Sequence, residues 1–312
     1  MEKLNRTALA FLLILLFQIR VQAQDGYEGL QYKPKILLVT AHPDDDALYS
    51  ATVFKATHLL RGTVDLAVMT NGEGGYHYST LGNYIYDRQL DKEEIGREYL
   101  PAIRKRELMA GGKIVGIRNY YFFDQVDKKY SEDISKPLSQ WDTTWVKRRL
   151  VRILRDENYD FVFTMMPKES THAHHKASAI LALEAIRLLP KEQRPAVFAT
   201  DIASSLDDST EYTQLEGYPI SRLMKGEPPL QFDRTQTFGY NNRMNYKIIA
   251  NWVIAEHKSQ GTMQLLMNRG NVEQYWPYAI NDKDQLRKAH SFIKAVNEVP
   301  IYRNDIIDFD NE

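Results

Sequence analysis

Apolar runs that alternate with helix-patterned segments constrain this chain more than any other feature. KILLVTAH (35–42) is a short run rich in Leu, Ile and Val, as expected of a strand covered on both faces. DALYSATVFKATHLLRG follows with helical spacing and stops at Gly62, and VDLAVMTN (64–71) is a second buried run closed by the loop GEGG. Strand, helix, strand in this order is a βαβ unit, which favours parallel pairing and a right-handed crossover. The alternation continues. Helix-forming charged stretches over about 86–115, broken near Pro101, lead to NYYFFD (119–124) as a strand. An amphipathic helix (143–159) precedes the strand DFVFTMM (160–166). A helix over 174–189, stopped by Pro190, precedes the strand AVFATDIA (196–203). The pattern predicts a doubly wound α/β fold with a mostly parallel sheet and helices on both faces. In such sheets, sites form at the carboxyl ends of the strands, where this sequence carries its polar clusters.

Beyond 203 the pattern weakens. Residues 204–240 are polar, contain Pro228 and Pro229, and read as a lid or an inserted segment. Helical spacing returns over 243–266 and again over 283–297. Between these, Tyr275, Trp276 and Tyr278 suit either a sugar-stacking surface or a packed C-terminal segment.

The first residues carry a different signal. Lys3 and Arg6 precede ten apolar residues, Ala8 to Phe17, and Val21-Gln22-Ala23 places small side chains before Gln24. This is the pattern of a secretory signal peptide over residues 1–23, cleaved after Ala23. Ten residues are too few to span a bilayer, which needs about 20. The reading predicts a periplasmic or secreted protein with no stable membrane span, and one domain over 24–312. Residues 24–33 read as an extended arm. The net charge is −1 and no long basic run is present, so composition gives no support to nucleic-acid binding. The chain has no cysteine, so any metal site must use histidine and carboxylate.

Two clusters fit that requirement. VTAHPDDDALY (39–49) puts His42 and Asp45 three residues apart, right after the first strand. A tight turn there brings both side chains to one point, and Pro43 restricts its backbone. THAHHKA (171–177) likewise follows a strand and offers three histidines for a further ligand. Two histidines and one carboxylate, with a position open for water, suit Zn²⁺ and the hydrolytic chemistry it supports. The plain alternative for the acids is a helix N-terminus, which favours negative charge but does not explain the histidine. In NGEGG (71–75), Glu73 and backbone groups read as a flexible wall meeting substrate, or as a simple turn.

These motifs resemble the LmbE-like, or PIG-L, zinc de-N-acetylases. Ala41-His42-Pro43-Asp44-Asp45-Asp46 is similar to the family's A-H-P-D-D-E, and His172-Ala173-His174-His175 to its H-x-D-H. IRKREL (103–108) resembles its arginine-and-glutamate helix, and AEHKSQ (255–260) its late H-x-S-Q segment. The resemblance implies a Rossmann-like domain, with His42, Asp45 and His175 as the zinc ligands and Fe²⁺ or Co²⁺ as other ions such ligands accept. It implies Asp44 as general base, His172 as a donor to the oxyanion, and Arg104 as a substrate contact. Asp124, after a strand, is a candidate for a sugar hydroxyl. The implied activity is removal of acetyl from an N-acetylated amino sugar or glycan conjugate. The alternatives are an amidase on a non-sugar N-acyl conjugate, a metal phosphoesterase, and a carbohydrate-binding protein without catalysis. Two positions depart from the family pattern. Asp46 replaces a glutamate and reads as a simple acid at a helix start. His174 replaces an aspartate that would orient and charge the neighbouring histidine, so either another carboxylate takes its place or the pH optimum shifts; His174 is also an alternative ligand, although the i,i+3 match favours His175.

Overall fold

The computed structural model describes residues 33–301. The predicted signal segment 1–23 and nearly all of the predicted arm lie outside them. A seven-stranded sheet is built from β1 (Lys35–Thr40), β2 (Thr63–Thr70), β3 (Ile117–Gln125), β4 (Phe161–Met165), β5 (Ala196–Ala203), β6 (Leu230–Asp233) and β9 (Val272–Pro277). β7 (Thr237–Phe238) and β8 (Met244–Asn245) form a separate small hairpin. The sheet order is β3-β2-β1-β4-β5-β9-β6. β1 to β5 pair in parallel, whereas β9 runs antiparallel to both β5 and β6.

The helices are α1 (Ser50–Phe54), α2 (Thr80–Tyr86), α3 (Glu93–Val115), α4 (Ser135–Gln140), α5 (Thr143–Glu157), α6 (Ala173–Arg187), α7 (Lys247–Glu256), α8 (Gly261–Gln264) and α9 (Lys283–Glu298). Successive strand residues face opposite sides. Leu37, Val39 and Val162 meet one layer, containing Leu150 and Leu154 of α5 and Leu181 of α6. On the other side, Phe161 and Phe163 stack against Phe292 of α9, with ring centroids 4.8 and 6.3 Å apart. Helices on both faces explain why β1, β4 and β5 are apolar without alternation. Among the described residues, no helix is long and apolar enough to cross a membrane.

One expectation needs correction, and two others gain detail. The charged stretch before β3 is not broken at Pro101: α3 runs unbroken from Glu93 to Val115. Leu100, Ile103, Arg104, Glu107 and Leu108 are all buried along it, and this packing outweighs the backbone bond that proline cannot make. Of the two readings of Tyr275, Trp276 and Tyr278, the packed segment fits Tyr275 and Tyr278. Tyr275 lies in β9, and both Tyr275 and Tyr278 are fully buried. Residues 204–240, read above as a lid or an inserted segment, are joined to the main sheet. They supply β6 to the sheet edge, and Arg234 just beyond β6 is buried against Glu273, with Nε 2.8 Å from its carboxylate.

Candidate functional site

The strand order reverses between β1 and β4, with β2 and β3 on one side and β5 on the other. Side chains leaving the carboxyl ends of β1 and β4 meet at this switch point. His42 comes from the first, and His172, His174 and His175 come from the second. After β1 the chain turns through a 3-10 segment, Asp45–Tyr49, before α1. Asp45 folds back so that one carboxylate oxygen, Oδ2, accepts the Ala41 and His42 amides, both at 2.9 Å. Its other oxygen lies 3.3 Å from His175 Nε2. His42 Nδ1 is 3.0 Å from the same His175 nitrogen and 3.9 Å from Asp45. The three expected donor groups are thus brought together, with spacings that suit ligands at about 2.1 Å from one ion. Groups drawn from His42 with His172 and His175, and from His42 with Asp44 and Asp45, also gather ligand atoms within 4.8 Å.

The electrostatics separate the members. Burial works against the Asp45 anion, yet His175 and the two amides outweigh it and hold its pKa below the ordinary value. Burial likewise works against a charged His175, but Asp45 overrides it and raises the pKa. Burial, then the neighbouring imidazoles, push His42 well down. Asp44 is half-buried and lines the cavity. Burial first and the Asp45 charge second raise its pKa to about 6. His172, just before α6, is sandwiched between the rings of His42 and Tyr130, at 5.0 and 4.9 Å. Burial, then His175, lower its pKa to about 4, so it is neutral at pH 7. Its Nε2 is buried with no hydrogen-bond partner among the described residues.

The expected substrate contacts fare differently. Arg104 borders the cavity, but its guanidinium donates to the carbonyls of Gly72, Gly75 and Ser259 and to the hydroxyls of Ser79 and Ser259. Through these bonds it braces the wall of the site. Glu73 turns away from the cavity and accepts the Asp127 amide at 3.0 Å. Gly74 and Gly75 line the cavity in its place. Their lack of a side chain is required: a Cβ on Gly74 would strike the Lys128 carbonyl and the Asp127 carboxylate. Asp124 is exposed and pairs with Lys105 on the surface, away from the cavity.

The carboxylate that does reach the site from the end of β3 is Asp127. It is buried and lines the cavity, and burial, then Glu73, raise its pKa to about 7. With His42 and His174 it forms a further group of candidate ligand atoms. Asp46 lies in the first turn of the 3-10 segment, as expected of an acid at a helix start. It is also a buried partner of His257, with Oδ1 2.8 Å from Nε2. Behind it, Ser259 donates from its amide and hydroxyl to Glu107, and Gln260 donates to the Pro43 carbonyl. The late H-x-S-Q segment therefore clamps the first motif to α3. The spacing of those residues was a signal of this. The signal for Asp127 was only its place after a strand, which Asp124 shares.

Fold and cluster together define an α/β protein with a histidine–carboxylate site at the switch point of its sheet. Residues 37–186 match the GlcNAc-PI de-N-acetylase (PIG-L) family. A protein named Probable N-acetyl-alpha-D-glucosaminyl L-malate deacetylase 2, from Bacillus cereus, is 28% identical over 171 residues, which are 54% of this chain and 69% of that one. A protein of the same name from Bacillus anthracis is 26% identical over 171 residues, covering 54% and 67%. Among solved structures, a deacetylase triple mutant from the teicoplanin biosynthetic pathway aligns with a TM-score of 0.51 at 16% identity. That alignment covers 80% of this chain and 99% of that one, a likeness of fold.

Proposed function

We propose that this protein is a metal-dependent hydrolase that removes acetyl from an N-acetylated amino sugar or its conjugate. One observation carries the reading: His42, Asp45 and His175 converge in a cavity that also presents Asp44 and His172. The PIG-L match and the deacetylase relatives support the same substrate class.

The donor set suits Zn²⁺, with Fe²⁺ and Co²⁺ as other ions it would accept. Two imidazole nitrogens and a carboxylate are its usual partners, and Asp45 is already oriented by two amides. An ion held by His42, Asp45 and His175 would supply an acidified water and polarise the amide carbonyl. Asp44 takes the proton from the attacking water, and a carboxylate raised to about 6 is matched to that task near neutral pH. His172 is neutral, so its ring carries one N–H. With that hydrogen on the unpartnered Nε2, it can donate to the oxygen on which charge develops. Asp44 then returns the proton to the leaving amine. The cavity, about 610 Å³, also exposes Leu48, Ile202, Ile254, Met263 and Leu266. That volume and lining suit a sugar joined to a group with an apolar face. Residues 1–23, read as a cleaved secretory signal, would make this an exported enzyme acting on a small molecule or glycan.

The test joins metal analysis of the purified protein to acetate release over a panel of N-acetyl amino sugars and their conjugates. About one ion per chain and acetate release from some of the panel are expected. A metal-loaded protein that releases no acetate from any of them would overturn the reading.

A further inference from the structure

The site contains a second convergence that the family motif does not supply. His42 Nδ1 faces His175 and Asp45, while its outer nitrogen, Nε2, faces the other way. There it lies 3.1 Å from His174 Nδ1 and 4.0 Å from Asp127 Oδ2. His174 Nδ1 is in turn 3.6 Å from Asp127 Oδ1. His174 and Asp127 are both buried, and Trp141 packs on the His174 ring at 5.2 Å. Asp127 is fixed on every side. Its backbone amide donates to Glu73, its carbonyl accepts from Arg97 Nη1 at 2.9 Å, and its carboxylate accepts the Gly74 amide.

A histidine that ligates a metal through one nitrogen usually donates the N–H of the other to a carboxylate or carbonyl, which fixes its tautomer and ring orientation. We propose that Asp127 and His174 together are the positioning pair for His42. His42 donates its Nε2–H to His174 Nδ1, and Asp127 places its carboxylate beside the same hydrogen. A neutral imidazole at position 174 can accept that bond but is not a carboxylate, and Asp127, just after β3, brings one to the pair. The Nδ1 lone pair of His42 is then held toward His175 and Asp45. The proposal rests on the reading of those three residues as the metal site, so the experiment separates the two.

The affinity of the metal-free protein for Zn²⁺ and Co²⁺ is measured by competition with a chelator, and Co²⁺ absorption reports the coordination. His175→Ala tests the site itself and should abolish binding. Asp127→Asn should bind one ion with affinity lowered about 10–100-fold. His174→Ala should fall in the same range and answers the question even where Asp127→Asn does not fold. Combining the two should cost little more than either alone, because they act on one nitrogen. In the Asp127→Asn background, His174→Asp places a carboxylate directly against His42 and should recover most of the affinity, which a general loss of packing would not allow. Wild-type affinity in both Asp127→Asn and His174→Ala, with His175→Ala inactive in binding, would overturn this proposal and leave the metal reading standing. Two ions per wild-type chain, reduced to one by Asp127→Asn, would also overturn it, because the pair would then be ligands. Binding indifferent to His175→Ala would sink the metal reading and the proposal with it.

Discussion

Three adjacent aspartates follow His42, and each has a different environment. Asp45 is turned back onto two amides and toward His175, Asp44 borders the cavity, and Asp46 is sealed against His257. If Asp44 is the base, Asp44→Asn should lower kcat by about 10²- to 10⁴-fold. Metal content should be unchanged, because Asn removes the proton acceptor without touching Asp45 or the histidines. Retained activity with retained metal would assign the base elsewhere. The pH profile gives a second check. Asp44 accepts a proton only when ionised, and its pKa is raised to about 6. Hence kcat/KM should fall as pH drops below about 6. A bound cation favours the anion and moves this limb lower, and the limb should vanish in Asp44→Asn. At this scale the sequence was informative where a motif fixed spacing, as at His42, Asp45 and His175. It was silent where only the third dimension decides. Asp124 is the next-to-last residue of β3 and Asp127 follows the strand, yet a left-handed backbone at Asp124 (φ 50°) accompanies its exposure, while Asp127 turns inward.

Between elements, the links are buried and polar. Arg104 and Glu107 on α3 both bond Ser259, which ties the helix to the segment after α7. His257, two residues earlier, meets Asp46 with both side chains fully buried. Sequence pattern showed the α3 and H-x-S-Q motifs but not that they touch, since their partners lie about 150 residues away. The continuity of α3 through Pro101 was hidden for the same reason: burial contributed by other elements holds it. The His257–Asp46 pair should make stability depend on pH. Burial alone would lower the pKa of His257, but Asp46 outweighs it, with Asp44 and Glu107 adding to the rise. A raised histidine contributes stability that is fully present below the unfolded value of about 6.5 and is lost as pH rises through the folded pKa. His257→Gln keeps a neutral donor but loses the charge. It should therefore cost several kcal/mol at pH 6 and progressively less as pH rises through the raised folded pKa, where the wild-type ring loses its charge too. Urea melts of both proteins with chelator present would show this, and a cost independent of pH would contradict it.

Across the whole domain, the antiparallel edge supports the parallel half that carries the site. The α/β alternation was legible up to β5, because continuous apolar runs announce doubly covered strands. β6 and β9 were not, since β6 is a short edge strand among polar residues and prolines, β9 mixes polar with apolar residues, and their pairing is set by partners roughly 40 residues apart for β6–β9 and roughly 70 to 80 for β5–β9. Their consequence lies at the first motif. Glu273 of β9 is completely buried, and its carboxylate accepts the amides of Ala51 and Thr52, both at 2.9 Å, at the start of α1. Arg234, following β6, pairs with Glu273 and donates Nη2 to the carbonyls of Ala47 and Leu48, in the turn that carries Asp45. One ion pair thus fastens both ends of the segment between the site and α1 to the far sheet edge. Removing one partner of a buried pair strands the other charge and costs about 3–5 kcal/mol, whereas replacing both with neutral groups costs much less. Arg234→Met should therefore destabilise the protein by that amount, and adding Glu273→Gln should restore part of it. Denaturant midpoints of the single and double variants measure the coupling. Because the same bonds hold the turn, Arg234→Met should also lower metal affinity at temperatures where the protein is still folded. A single variant costing less than about 1 kcal/mol would mean that the edge and the site are mechanically independent.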